Sequence, residues 1–381
     1  MLKQQKIFVD FLRFCIGSAK EIPDSLKEAD WKELYAIAKM QALLGVLFHG
    51  IRRLPKELAP EQKLLMQWMV MAEMIRKQNI KLFQDSVKVC LNFDNEGFAN
   101  CILKGQGNAL LYPDPYMRTP GDIDIYLSGG RRKIMKYVDQ VCPNQVMRYH
   151  HVDFPVTKTA IEVHFTPSYM FCPIHNRRMQ KWFEEVMGEQ CNHRVSLPDG
   201  YGEIHVPHVS FNVIYILSHL YRHIFTEGIG LRQLLDYYFV LLKWHTDLTN
   251  LTDSNNSLPQ MTQINTDLDA LRHELKYLGL WKFAGAVMYV LHEVFGLSED
   301  RMIAPMNEKE GKFLLDEIMR GGNFGQYDDR MGDKVDESKI HRYFRMNLRN
   351  LRFVKHYPTE ALSEPLFRTW FAVWKKIHGI R

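Results

Sequence analysis

The chain has 381 residues, 46% hydrophobic and 24% charged, with 49 Lys and Arg against 44 Asp and Glu. Such a composition excludes a disordered, collagen-like or low-complexity chain and leaves room for two or three domains. The small positive balance does not by itself require a nucleic-acid partner, and six cysteines without any C-x-x-C spacing read as the reduced thiols of a cytoplasmic protein rather than a zinc ribbon or disulfide scaffold.

Taken in chain order, residues 1–95 read as a helical region. Asp10 and Arg13 interrupt its first apolar stretch, so no secretory signal is expected. One helix is expected around Ile7–Cys15, a second periodic segment over about Leu26–Leu54, and a third after Pro60 that stops at the polar cluster 92–97. Residues 96–206 change texture and read as an α/β core. Strands are expected at Phe98–Leu103, Ile123–Leu127 and Glu203–Val206, with a hairpin formed by Val146–Val156 and Thr159–Phe165. Helices are expected over 131–141 and 174–187. From 207 to 381 the chain reads as a C-terminal helical domain, with breaks near 226–230, 246–260, 296–299, 321–332 and Pro358. No membrane span is expected, because even the apolar stretch 208–225 carries His208, His219, Arg222 and His223. The order helices, mixed elements, helices gives an α+β fold: a small mixed sheet with helices, flanked by N- and C-terminal helical regions.

The most informative stretch runs from Lys104-Gly105-Gln106-Gly107 to Asp122-Ile123-Asp124. Spacing i, i+2 on a strand puts both carboxylates on one face, with Ile123, Ile125 and Leu127 on the other. Paired acids repel unless a cation lies between them, and hard oxygen ligands suit Mg²⁺. An isolated D-x-D also fits a solvated strand. Here it follows a glycine turn and a short helix expected at about 108–112, where backbone N–H groups meet an anion. In Ile161-Glu162-Val163-His164 the polar pair shares a face, so Glu162 supplies a third acid.

On these residues, 98–165 resembles the nucleotidyltransferase core of the DNA polymerase β superfamily, and more narrowly the bacterial family of uncharacterised nucleotidyltransferases. The shared features are Lys104-Gly105, Tyr112-Pro113 with Arg118, the Asp122/Asp124 strand, and Glu162 with His164. Downstream, His219, His223 and Gly230-Leu231-Arg232-Gln233-Leu234-Leu235-Asp236 also look like the family. The first motif departs from the wider superfamily, which has Gly-Gly or Gly-Ser where this chain has Gly105-Gln106. The third acid is Glu rather than Asp. The resemblance implies a Mg²⁺-dependent transfer of a nucleoside monophosphate from an NTP to a hydroxyl, with release of pyrophosphate. Asp122, Asp124 and Glu162 would be both the catalytic residues and the metal ligands, for two Mg²⁺ ions or Mn²⁺ in their place. Lys104, Gly105, Gln106, Gly107 and Arg118 would bind the nucleotide, although Arg118 equally suits an ion pair that orients the Asp122 loop. His164, His219, His223, Arg232 and Asp236 would support the site, with Arg232 and Asp236 also placed for an i, i+4 ion pair.

His219 and His223 share a helix face, but Leu220 stands where a zincin has Glu. Gly321-Gly322-Asn323-Phe324-Gly325 lacks the Lys-Ser/Thr of a P-loop and reads as a mobile loop. The segment 337–381 holds ten Lys/Arg against three acids, with Arg342, Arg345, Arg349 and Arg352 on one helical stripe. That stripe reads either as a solvated face or as contact with an anionic partner. Two functions follow: an active transferase whose acceptor is a small molecule, a protein side chain or an RNA end, or an inactive nucleotide-binding or antitoxin-like regulatory module on the same fold.

Overall fold

A computed structural model describes residues 2–254, 260–331 and 339–378, without the side chains of 250–266, 331–340 and 342. The N-terminal helices are α1 (Lys3–Ile16), α2 (Trp31–Met40), α3 (Leu44–Ile51) and α4 (Gln62–Asn95). The mixed region contains β1 (Asn100–Ile102), α5 (Gln106–Ala109), β2 (Ile123–Leu127), α6 (Gly130–Val141), β3 (His151–Asp153), β4 (Ile161–His164), α7 (Pro173–Gln190), β5 (Arg194–Ser196) and β6 (Glu203–His205). It is followed by α8 (Val209–Thr226), α9 (Leu231–Ser254), α10 (Gln260–Tyr277), α11 (Trp281–Val290), α12 (Glu308–Gly321), α13 (Lys339–Val354) and α14 (Pro358–Ile377).

The fold is α+β with a small mixed sheet, ordered β1-β2-β4-β3. β1 and β3 run antiparallel to their neighbours, while β2 and β4 are parallel, with Asp124 opposite Glu162 and Tyr126 opposite His164. Alternation sorts the two faces. Ile123, Ile125, Leu127, Ile161 and Val163 join an apolar core with Phe83, Val89 and Phe93 of α4 and Ile134 and Val138 of α6. The opposite face carries Asp124, Glu162 and His164. A second and larger core runs from Ile7 of α1 through Tyr215 of α8 and Phe283 of α11 to Ala361 of α14, so helices before and after the sheet share one interior. Arg13 of α1 fastens this arrangement by donating to the carbonyls of His292, Glu293 and Val294 at 2.8–3.3 Å.

Several expected elements change. The segment 26–54 is split, because Ala42 adopts φ 56° between α2 and α3. The break serves a distant contact. Gln41, fully buried, donates to Ile318 O and accepts from Leu231 N, and so joins three helical ends. The turn helix begins at Gln106, two residues earlier than expected, and the strand β5 that pairs with β6 has only three residues, too few for its alternation to register in the sequence. α9 continues through the expected break near 246 to Ser254, and 255–259 lie outside the described residues. Along α13 the expected polarity is inverted. Arg349 donates to Thr226 O and Arg352 pairs with Glu317 and Asp328, whereas Phe344, Leu348 and Leu351 are more than half exposed. Buried carbonyls and acids on the body of the protein draw the guanidinium groups inward, so the stripe is not an open basic face; the side chain of Arg342 lies outside the described residues. The six cysteines form no disulfide. No described helix is long and apolar enough to cross a membrane.

One polar residue in the core stripe of α4 sets the loop that precedes β2. Asn79, fully buried, donates to the carbonyls of Tyr116 and Arg118, both at 2.8 Å, and accepts from Gln106 Nε2 at 3.3 Å. Asn79→Ala leaves those buried carbonyls unpaired, at about 1–3 kcal/mol for each such group. The variant is therefore expected to unfold at clearly lower urea concentration, and an unchanged midpoint would remove Asn79 from this role.

Candidate functional site

The polar sheet face opens into a cavity of about 440 Å³, walled by the 104–108 turn, the 118–124 segment, α8, the start of α9 and the 323–324 loop. Asp122, Asp124 and Glu162 all line it. Asp124 sits mid-strand and is buried. Its Oδ2 lies 3.0 Å from Lys104 Nζ and its Oδ1 lies 2.9 Å from His164 Nε2. Burial opposes its ionisation, but Lys104 and His164 outweigh that and hold the carboxyl well below its usual range. Glu162 is met by His151 Nδ1 at 3.2 Å and His164 Nε2 at 3.6 Å. Burial acts against the charged form of His164 as well, yet its bonds to Asp124 and Glu162 hold it above the ordinary histidine value.

Asp122 differs. It forms no ion pair among the described residues, and the neighbouring Asp124 together with burial pushes its carboxyl up to about 6. A carboxyl raised by a like charge marks a place where a cation is favoured. Asp124 and Glu162 are oxygen donors that fit a hard divalent cation such as Mg²⁺, and Asp122 lines the same cavity without an ion pair among the described residues, although it is not in the tight ligand cluster. Asp124, Glu162 and His164 also bring one ligand atom each to within 4.8 Å of one another.

The facing wall is cationic. Lys104 Nζ also touches His219 Nε2 at 3.1 Å, and burial followed by the Lys104 charge keeps His219 neutral, so its ring accepts. Arg222, 8% exposed, donates to His223 Nε2 at 2.9 Å and forms no direct ion pair among the described residues, although the Glu227 carboxylate, paired with His223 on the same cavity, lies within reach of its charge. Burial and the Arg222 charge press His223 down to about 4. Arg222 Nε is buried without a partner. A guanidinium cannot shed its proton, so a buried one without a directly paired anion is costly until an anion arrives.

The expected Arg232–Asp236 pair is present but long, and it is not the main contact of Asp236. Asp236 receives Arg118 Nε and Nη2, both at 2.8 Å, together with Tyr112 OH at 2.6 Å, while Arg232 stands 4.0 Å away. The planar fork of Arg118 matches the carboxylate bidentately, and its carbonyl is fixed by Asn79. Arg232 also reaches Thr119 O at 3.5 Å and lines the cavity. Within the turn, Gly105 has φ 59°, a conformation that favours glycine, and it lines the cavity with Lys104. Gln106 turns away to Asn79. A Cβ on Gly107 would lie 2.8 Å from Val206, so this glycine allows the turn to pack on β6.

The structure thus gathers Lys104, Gly105, Arg118, Asp122, Asp124, Glu162, His219, His223, Arg232 and Asp236 around one cavity, with His164 directly behind the acids. It does not bring the Gln106 side chain there. Sequence reasoning missed Arg222, His150 and His151, which also line it. The signal for Arg222 was its place one residue before His223 on an otherwise apolar helix. The loop expected to be mobile is tied in, with Gln233 Nε2 donating to Asn323 Oδ1 at 2.9 Å and Phe324 on the cavity wall.

A family model described as uncharacterised nucleotidyltransferase matches residues 27–296. No curated protein and no solved structure matches the chain.

Removing one partner of a buried ion pair leaves the other charge uncompensated, at about 3–5 kcal/mol. Asp236→Ala is expected to destabilise by that amount and Tyr112→Phe by about 1 kcal/mol. Chemical denaturation checks both, and equal losses would contradict the assigned geometry.

Proposed function

The chain belongs to the family of uncharacterised nucleotidyltransferases, and on that premise we propose that it transfers a nucleoside monophosphate from an NTP to a hydroxyl acceptor, releasing pyrophosphate. The observation that carries this reading is the pairing of a three-carboxylate face with a wall of cations across one cavity. Asp122, Asp124 and Glu162 would hold Mg²⁺, which when bound supplies charge neutralisation at the reacting phosphate.

The chain's own residues account for the remaining requirements. Arg222 and Arg232 would take the charge of the β and γ phosphates, since Arg222 forms no direct ion pair among the described residues and Arg232 stands 4.0 Å from an Asp236 already engaged by Arg118. Gly105 lets the backbone approach them closely. The acceptor oxygen forms a bond to the α-phosphorus as the bond to the bridging oxygen breaks, and the electron pair leaves on pyrophosphate. Glu162, oriented by His151 and His164, is placed to take the hydroxyl proton. Asp236, Arg118 and Tyr112 hold the approach to Asp122 in place.

A second reading draws on the fact that both oxygens of Asp124 already meet protein cations. A nucleotide-binding module without turnover would keep Lys104 on Asp124 as a permanent counter-charge. The two readings separate in one assay. With Mg²⁺ and each NTP, the transferase releases pyrophosphate in the presence of cell extract, and α-labelled nucleotide reports the acceptor. Binding without release favours the module.

Asp122→Asn with Asp124→Asn is expected to abolish transfer while leaving the fold intact, and retained transfer would sink the assignment. Arg222→Gln is expected to weaken Mg²⁺–NTP binding by about tenfold or more, the equivalent of one charge-assisted contact. Metal affinity should also depend on pH. Asp122 ligates only when ionised and titrates at about 6 in the folded protein. Mn²⁺ affinity is therefore expected to be level above about pH 6 and to fall about tenfold per unit below it. Asp122→Asn should flatten that profile, as read by calorimetry.

A further inference from the structure

A second cavity of about 370 Å³ adjoins the first across the 104–108 turn, and Lys104 and Asn108 line both. Its walls are largely apolar, with Leu103, Val195, Val206 and Pro207 among them. Lys104, the Lys243–Asp247 ion pair, two histidines and two amides interrupt that lining, and the amides are left without partners among the described residues. Asn108 and Asn212 are 3% and 6% exposed, and neither side chain makes a hydrogen bond among the described residues. Asn212 Oδ1 is fully buried and unpartnered. Buried amides are normally satisfied, so a pair left open on one cavity calls for a ligand that supplies donors and acceptors.

The position of Asn212 constrains that ligand. It lies seven residues before His219 on α8, so both share one helix face, about 10 Å apart along the axis. His219 belongs to the cleft and contacts Lys104. A ligand reaching from the acids to Asn212 must therefore carry phosphate at one end and a hydrogen-bonding group roughly a sugar's length away. The rings of His193 and His208, stacked 4.3 Å apart at 25°, line the same cavity and offer aromatic surface. Aromatic faces stack on bases, and an asparagine amide matches a base edge with one donor and one acceptor.

We propose that this second cavity holds the nucleobase of the nucleotide whose phosphates occupy the cleft, with Asn212 and Asn108 reading the base edge. The inference rests on the nucleotide reading of the cleft, but its ligand is the base, so it is tested without phosphate. The four ribonucleosides are titrated into the full chain by calorimetry or ligand-observed NMR. At least one is expected to bind, with Asn212→Leu weakening it about tenfold or more and Asp122→Asn leaving it unchanged. Absence of binding by all four to the wild type overturns the proposal, as does undiminished binding in a folded Asn212→Leu. If that variant fails to fold, Asn108→Leu takes its place under the same criterion. Nucleoside binding that depends on these amides, in a protein that releases no pyrophosphate, supports the base cavity while sinking the transfer reading. Transfer with no nucleoside binding sinks the base cavity alone.

Discussion

Everything around the cavity follows from gathering carboxylates at one face of a sheet whose other face is sealed by apolar packing. Strand periodicity sets the first of them: once Ile123 and Ile125 enter the core, Asp124 must take the opposite face, and Asp122 reaches the same cavity from the residue that precedes β2. Parallel pairing then sets Glu162 beside Asp124. Like charges this close cannot all ionise without cations. Lys104 and His164 answer Asp124, and His151 answers Glu162. Asp122 remains, its carboxyl pushed upward by its neighbour.

The same constraint orders the helices. α8 is apolar enough to pass through the shared interior, yet it turns His219, Arg222 and His223 toward the acids. Neutral imidazoles let the cations stay close without adding charge of their own, since a protonated His219 or His223 would repel Lys104 and Arg222. α9 is fixed by a different device. Asp236 is engaged closely by Arg118 and Tyr112, which leaves Arg232 a longer pairing along its own helix and a place on the cavity wall. Asn79 holds the loop carrying Arg118, and Gln41 joins the start of α9 to the N-terminal helices. The cavity therefore lies at a seam where each wall is anchored by a buried polar contact rather than by apolar packing alone.

The strand-borne part of this site was legible in the sequence because period-2 alternation fixes which side chains share a face. Ile123–Leu127 and Ile161–His164 gave both the strands and the orientation of their acids. The helix-borne part was less legible. Arg232 and Asp236 have i, i+4 spacing, and only the fold reveals a stronger bidentate partner from more than a hundred residues upstream. Ala42 breaks a continuous helical pattern because Gln41 is needed elsewhere, which no local propensity encodes. β5 was missed because it is only three residues long, with Val195 alone packed against the core, which is too short a run for alternation to register.

Charge shows the limit of reading by count. The C-terminal segment is the most basic part of the chain, with ten Lys/Arg against three acids. Yet Arg349 and Arg352 of its stripe are spent on a carbonyl and on two acids of the body. The cations that matter to the cavity are Lys104, Arg222 and Arg232, far apart in sequence and each set among apolar residues where a charge is expensive. A buried charge persists when something repays its desolvation. For Lys104 that is Asp124, and for Arg118 it is Asp236. For Arg222 the described residues offer neutral imidazole, Tyr169 with its ring 5.2 Å from the guanidinium, and Glu227 at a distance without a direct ion pair. The incomplete balance at Arg222 and the excess at Asp122 lie on opposite walls of one cavity. On the proposed reading, a metal–triphosphate, positive at one end and negative along its length, would offset both at once.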